Sequence, residues 1–153
     1  MNNNDVLRRV RYTFDLDDRA MIGVFELAGH SVTRAEVSDW LKGDEDPAFV
    51  LLTDHQLALF LNGFIVKRRG PRDGPAAVAE TVLTNNIILV KLKIALDLRA
   101  EAMLELVCSR DLKLSRHELS AFSRKPGHKH YRKCQDQVLR NFLQGMQAKY
   151  RPA

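Results

Sequence analysis

The chain contains one stretch twice, as NNDVLRRVRYTFDL at residues 3–16 and as NNIILVKLKIALDL at residues 85–98. A shift of 82 residues extends this match without a gap, so that Asn3 to Gly70 align with Asn85 to Pro152. Similarity at a fixed spacing is the signature of a repeated structural unit. The sequence therefore predicts two copies of one small fold.

Identical residues continue through both copies beyond these openings. Many are apolar residues or glycines, the types that build a core or let helices approach each other. The identical pairs include Leu16/Leu98, Met21/Met103, Arg34/Arg116, Glu36/Glu118, Asp54/Asp136, Leu57/Leu139, Phe60/Phe142, Gly63/Gly145 and Lys67/Lys149. The shared residues mostly describe a common fold.

The apolar residues of each copy have the spacing of helices. Val6, Leu7 and Val10 recur at three and four residues, which predicts a first helix. Asn3 or Asn4 is expected to cap that helix with its side-chain oxygen, as are the equivalent asparagines of the second copy. The opening of each copy is therefore predicted to be helical.

Three more helices are expected in each copy. The second should stop at Gly29, and the third has a clear start, because Thr33-Arg34-Ala35-Glu36 and Ser115-Arg116-His117-Glu118 both match a capping box. The fourth runs from about Asp54 to Arg68, where Gly63 is expected to let another helix approach. The predicted fold class is all-α, a tandem duplication of a four-helix unit that contains a helix-turn-helix-like pair.

Glycines and prolines at residues 70–75 mark the boundary between the copies. We predict an acidic helical repeat 1 at residues 1–70, a linker at 71–84 and a basic helical repeat 2 at 85–153. The aligned part of repeat 1 has 9 Lys/Arg and 11 Asp/Glu, a net charge of −2, whereas that of repeat 2 has 14 and 6, a net charge of +8. This asymmetry predicts different partners for the two surfaces.

Composition and motifs exclude several classes of protein. The longest apolar runs fall far short of the ~20 residues of a membrane span, and the N-terminus does not resemble a signal peptide. Two cysteines, Cys108 and Cys134, are too few for a disulfide framework and fit a reducing cytoplasm. The chain has no phosphate-binding glycine loop, nucleophile elbow or HExxH motif. We therefore expect a soluble cytoplasmic protein without enzymatic activity or cofactor.

Two groups of residues suit metal binding or catalysis but have simpler explanations. His128, His130 and Cys134 are possible zinc ligands, yet a fourth ligand is missing and repeat 1 lacks equivalents, so no metal is expected. The repeated carboxylates, each predicted to cap a helix start, are Asp15, Asp97, Asp54 and Asp136.

The densest basic region of repeat 2 reads SRKPGHKHYRK at residues 123–133. Clustered cations can neutralise phosphates, and an aromatic ring can stack on a base. Arg116 and His117, at the start of the preceding helix, could reach base edges. A solvated basic loop would explain the same residues without a ligand. The predicted nucleic-acid-binding residues are Arg116, His117, Arg124, Lys125, Lys129, Tyr131, Arg132 and Lys133.

The charge pattern leads to two functional hypotheses. The first is a non-enzymatic nucleic-acid-associated protein with a regulatory role that binds DNA or RNA through repeat 2. The alternative is a protein-protein adaptor or self-associating module, in which acidic and basic repeats dock by charge complementarity. Charge alone leaves both open.

Three segments carry a resemblance to a known family. They are NNDVLRRVR at residues 3–11, FSRKPGHKHYRKC at 122–134 and RNFLQGMQAKYRP at 140–152. In these segments, and along nearly its whole length, the chain resembles the YehS-like bacterial family. The resemblance implies a duplicated helical architecture. Because the function of that family is unknown, it implies no catalytic or binding residue.

Overall fold

A computed structural model of the chain describes residues 1–152, which form helices and loops without any strand. Two compact units divide the chain, one spanning Met1–Val82 and the other beginning at Leu83. The helices are α1 Asn3–Thr13, α2 Asp18–Leu27, α3 Arg34–Leu41, α4 Asp54–Arg69, α5 Asn85–Ala95, α6 Ala100–Val107, α7 Arg116–Ala121 and α8 Asp136–Tyr150. The prediction of a duplicated, all-α four-helix unit is confirmed. Among these helices, none combines the length and the apolar content needed to cross a bilayer.

The fourth helix of each unit packs closely on the second. Gly63 in α4 lies so near α2 that an added Cβ would overlap the carbonyl oxygen of Val24. Gly145 in α8 has the same relation to Leu106 in α6. The prediction that these glycines let another helix approach is confirmed.

Aromatic side chains fill the centre of the first unit. The ring of Phe25 lies with its centroid 5.4 Å from that of Trp40 and 5.3 Å from that of Phe60, both in tilted arrangements. Such contacts add to the free energy gained by burial. In the second unit, Met103 and Phe142 are buried at the positions that correspond to Met21 and Phe60. The two cores are thus built from equivalent positions.

The third helix of each unit starts with the predicted capping box. The hydroxyl of Thr33 accepts the N–H of Glu36 at 3.1 Å, and the Glu36 carboxylate accepts the N–H of Thr33 at 2.9 Å. Ser115 and Glu118 exchange the same two hydrogen bonds, each at 3.1 Å. The capping-box prediction is confirmed in both copies.

The residues that cap the first helix of each unit are not the ones that the sequence predicted. Asn2 caps α1 and Thr84 caps α5, each through its side-chain oxygen. The capping prediction for the asparagine pairs at residues 3–4 and 85–86 is therefore wrong. These asparagines lie one and two positions further along, inside the helix, and their side chains bond to a distant loop.

The capping prediction for Asp15 and Asp97 is also wrong. Both residues follow the end of a helix and have left-handed φ angles of 52° and 53°. The N–H of Asp15 bonds to the carbonyl of Tyr12, and that of Leu16 bonds to the carbonyl of Arg11. This pair of hydrogen bonds is the Schellman arrangement that terminates helices, in which a left-handed residue is required. Asp15 and Asp97 therefore help to end helices.

Candidate functional site

A buried asparagine fixes the loop between the third and fourth helices of the second unit. The side-chain amide of Asn86 donates to the carbonyl oxygens of Phe122 at 3.1 Å and Arg132 at 2.7 Å. Its side-chain oxygen accepts the backbone N–H of Cys134 at 2.8 Å. One side chain thus holds both ends of the loop. Because Asn86 is only 4% exposed, water does not readily replace these bonds.

The first unit has the same clamp at equivalent positions. The side-chain amide of Asn4 donates to the carbonyl oxygens of Trp40 and Val50, each at 2.9 Å. Its oxygen accepts the backbone N–H of Leu52 at 2.9 Å. The clamp is therefore a property of the repeated fold, and the two units can differ in what the clamped loop carries.

The neighbouring asparagine of each pair reaches the start of the fourth helix. The side-chain amide of Asn85 donates to the carboxylate of Asp136 at 2.7 Å, and Asn3 donates to Asp54 at the same distance. The hydrogen bond from Asn85 is the main cause that lowers the pKa of the Asp136 carboxyl. Nearby Lys133 contributes to that shift.

These two carboxylates are the first residues of α4 and α8. The residues at the cap positions are instead Thr53 and Gln135. The capping prediction for Asp54 and Asp136 is therefore wrong, because their carboxylates accept hydrogen bonds from the asparagines of another helix.

The two clamped loops carry opposite charge. We call residues 41–51 the acidic loop and residues 123–133 the basic loop. The acidic loop contains one lysine and three carboxylates, whereas the basic loop contains five Lys/Arg and no carboxylate, giving net charges of −2 and +5. Every residue of the basic loop is exposed except Tyr131, which is half-buried. The largest difference in charge thus lies at one position of a shared fold.

An arginine ties the acidic loop to α1. Arg8 donates to the carbonyl oxygen of Lys42 at 3.0 Å and to the carboxylate of Asp44 at 2.9 Å. Its guanidinium also lies 5.9 Å from the ring centroid of Phe49. The equivalent residue in α5 is Val90, which cannot form such bonds. The basic loop therefore lacks the equivalent tie to α5.

Three cations of the basic loop have no partner within residues 1–152. Arg124, Lys125 and Lys129 make no side-chain hydrogen bond or ion pair there, and all three are exposed. Like charges close together on a surface create a positive potential that attracts anions. These three side chains are available to a ligand.

Two of the predicted arginines, Arg116 in α7 and Arg132 in the basic loop, already have carboxylate partners. Arg132 pairs with Glu118 at 2.9 Å, and Arg116 pairs with Glu101. The pKa of Glu118 is lowered mainly by its hydrogen bonds with Ser115, with a smaller effect from Arg132. Exposed ion pairs contribute little free energy, so phosphate could displace either carboxylate.

Three exposed histidines lie around the basic loop. The ring centroid of His130 is 6.1 Å from that of His117 and 5.5 Å from that of His128. The backbone N–H of His130 donates to Nδ1 of His128 at 3.0 Å. Among the residues described, no group of three His, Cys, Asp or Glu is placed to hold a metal ion. Cys134, the third possible zinc ligand in the sequence, is fully buried.

The second and third helices of repeat 2 depart from a helix-turn-helix. Residues 108–115 connect α6 to α7, whereas a helix-turn-helix has a turn of three or four residues. Helix α7 has only 6 residues, less than two turns. Arg116 and His117 are exposed at its start, but this short helix offers little length for a major groove.

A groove of about 250 Å³ lies between α5, α6 and α7, next to the basic loop. Leu89, Met103 and Leu119 contribute buried apolar side chains to it. Sequence reasoning misses this groove because its residues come from three separate helices and from the basic loop and form no motif. The sequence signal that could have revealed it is a set of smaller residues relative to repeat 1.

Comparisons with known proteins agree with this duplicated architecture. The model of a family described as "Protein of unknown function (DUF1456)" matches residues 3–70 and 85–151. The "Uncharacterized protein YehS" of Escherichia coli (strain K12) is 35% identical over 150 residues, which cover 97% of this chain and 96% of that protein. No solved structure gives a significant match. The chain therefore belongs to the DUF1456 family, a family of unknown function whose domain occurs here twice.

Proposed function

We propose that this is a non-enzymatic, cytoplasmic protein that binds nucleic acid through the basic loop of repeat 2 and has a regulatory role. One observation is the main support for this proposal. The same asparagine clamp presents a loop of net charge −2 in one repeat and +5 in the other. Because the scaffold is the same in both repeats, we expect the difference in loop charge to determine which ligand each loop attracts.

The free cations of the basic loop suit a phosphate backbone. Arg124, Lys125 and Lys129 are exposed and lie within six residues of one another. Contacts between such cations and phosphates release bound counterions, so affinity falls as salt rises. Lys133 lies four residues further along the loop and extends the positive surface, and Arg132 beside it is paired with Glu118.

A charge-reversal experiment tests the proposal. The triple variant Arg124→Glu, Lys125→Glu, Lys129→Glu is compared with the wild type by fluorescence anisotropy, using a labelled single-stranded oligonucleotide at several salt concentrations. We expect an affinity at least about tenfold lower, and a plot of log K against log salt that is less steep by about 2, since each lost phosphate contact removes about 0.7 from a single-strand slope.

A matched control separates the loop from general charge. The variant Arg99→Glu, Arg110→Glu, Lys113→Glu changes the net charge by the same amount, at exposed positions of repeat 2 outside the loop. It should retain most of the affinity and of the salt slope. Equal losses in both variants, or unchanged affinity in the loop variant, would contradict the assignment.

A protein-protein adaptor or self-associating module is the second candidate. It is favoured by the acidic loop, where Val50 and Leu51 are 47% and 60% exposed at the positions of Arg132 and Lys133. An acidic loop with an apolar end could dock on a basic loop of another copy. Light scattering at low and high salt tests this, and a monomer at both salts over the concentration range would remove self-association.

A further inference from the structure

We propose that the groove beside the basic loop accepts an unstacked base, so that the ligand is a single strand rather than a duplex. This inference rests on the proposed function of the basic loop and names the kind of nucleic acid that the loop holds. It follows from the lining of the groove, from its difference from repeat 1 and from its position next to the loop.

The groove has an apolar lining and polar side chains. The half-buried Val90 and Ala100 supply apolar contact area, and the buried Leu89, Met103 and Leu119 form the floor beneath them. Ser120 and Ser123 add two hydroxyls, each of which can donate and accept a hydrogen bond. This mixture matches a nucleobase, whose faces are apolar and whose edges are polar.

The size of the groove fits a small ligand. Pockets for drug-sized molecules occupy about 300–1,000 Å³. At about 250 Å³, this groove suits a single ring system better than a larger cofactor. Lys93 also lines the groove, where it favours an anionic group attached to the ring, whereas the nearby Arg116 is paired with Glu101.

Repeat 1 has larger residues at three of the groove positions. The smaller residues of repeat 2 and their equivalents are Val90 for Arg8, Ala100 for Asp18 and Ser123 for Leu41. These replacements remove side-chain volume at one position in α5, one in α6 and one at the start of the basic loop. The three smaller residues occur in the repeat that contains the basic loop. The unpaired cations and the additional space therefore lie in the same unit.

The groove adjoins a shallow depression on the basic loop. Ser123 lines both, and the depression is otherwise formed by residues that include Arg124, Lys125 and His128. A strand whose phosphates contact those cations would place an adjoining base at the groove. Combining a positive surface with a site for bases is the usual way in which proteins hold single strands.

A duplex is a poorer ligand for this arrangement. Its bases are stacked and paired, so that placing one in the groove would cost a few kcal/mol for unstacking. A single strand already exposes its bases. The groove therefore predicts a preference for single strands in addition to the attraction of phosphate.

The test uses three fluorescein-labelled DNA probes at low salt: a single strand, its duplex, and the same strand with abasic sites. The single strand should bind at least about tenfold more tightly than either of the others, since one stacked base contributes about 1–3 kcal/mol and 1.4 kcal/mol is a tenfold change. An RNA strand of the same sequence is measured as well, so that the affinities for single-stranded DNA and single-stranded RNA can be compared.

A substitution taken from repeat 1 provides the matched variant. Ser123→Leu introduces the residue found at the equivalent Leu41, and it should lower the affinity for the intact strand about tenfold without changing that for the abasic strand. Ser123→Ala leaves the groove open and removes only one hydroxyl, so its loss of affinity for the intact strand should be clearly smaller than that of Ser123→Leu. Thermal unfolding shows whether both variants fold.

The outcomes separate the two proposals. If the triple loop variant loses binding but intact and abasic strands bind equally, the loop proposal stands and the base-binding inference is wrong. An intact-strand affinity unaffected by Ser123→Leu in a folded protein would also overturn the inference. If none of the probes binds to the wild type at low salt, both proposals are wrong.

Discussion

Asn86 donates its side-chain amide to the backbone carbonyl of Arg132 at 2.7 Å, which ties the first turn of α5 to the far end of the basic loop. The same side chain bonds to Phe122 and Cys134 on either side of that loop. Its removal would leave two carbonyl oxygens and one N–H without their buried partner. The stability of the fold and the position of the basic loop therefore depend on one residue.

Asn86→Ala should lower the free energy of unfolding by about 2–4 kcal/mol, because three hydrogen bonds are lost and buried groups are left unsatisfied. The matched control is Thr84→Ala, which removes only the cap of the same helix and should cost about 1 kcal/mol. Urea denaturation followed by circular dichroism measures both. A loss for Asn86→Ala no larger than that for Thr84→Ala would contradict the clamp.

Gly63→Ala should destabilise the first unit by at least about 1–3 kcal/mol, since its Cβ would collide with the carbonyl of Val24 and α2 would have to move away from α4. Gly23→Ala is the control, because a Cβ there meets nothing within 4 Å and alanine favours the helix by about 0.5–1 kcal/mol. The single Trp40, buried in this unit, reports unfolding by fluorescence. Equal effects of the two substitutions would contradict the close approach.

One of the two thiols should be unreactive in the native protein. Burial raises the pKa of the Cys134 thiol to about 12, so that at pH 8 almost no thiolate is present and reagents cannot reach the sulfur. Cys108 is only half-buried. Titration with a disulfide reagent at pH 8 should give one fast thiol in the native protein and two in urea. In Cys108→Ser, fast native reaction of the remaining thiol would contradict this burial.

The bond between Asn85 and Asp136 should make part of the stability depend on pH. The pKa of Asp136 is lowered in the folded protein, so its ionised form stabilises the fold above the unfolded value of about 3.9. That contribution is lost as pH falls through the lower folded value. Asp136→Asn should therefore differ most from the wild type in urea midpoint near pH 7, and the difference should shrink below about pH 4.

A control carboxylate makes the pH experiment specific. Asp111 is exposed and lies in the connection between α6 and α7, outside the clamp. Asp111→Asn should change the urea midpoint little at either pH. If the difference between Asp136→Asn and the wild type were the same at pH 7 and pH 3, the proposed role of its charge would be wrong.

Local patterns predicted the parts of the fold that are formed locally. The capping box at Thr33 and Glu36 involves residues three apart, and the helix end at Gly29 depends on the φ angle of 76° at that residue. Gly63 was predicted from its repetition in both copies. Such features depend on neighbours in sequence, so a sequence pattern contains the information needed to recognise them.

Long-range partners account for the errors. Asn3 and Asn4 look like caps because asparagine at a helix start usually is one, but their partners lie 36 to 51 residues away. The groove is hidden for the same reason, since Leu89, Met103 and Leu119 come together only in the folded unit. Charge did single out the basic loop, but only the structure shows which of its cations are free.

The most direct test of the central claim is an exchange of loops within the fold. Because the repeats align without a gap, residues 124–133 can be replaced by residues 42–51 while Asn86 and both loop ends keep their positions. Nucleic-acid affinity of this chimera is measured by anisotropy beside circular dichroism. We predict a folded protein whose affinity is reduced at least about tenfold at low salt; a folded chimera that binds as tightly as the wild type would contradict the account.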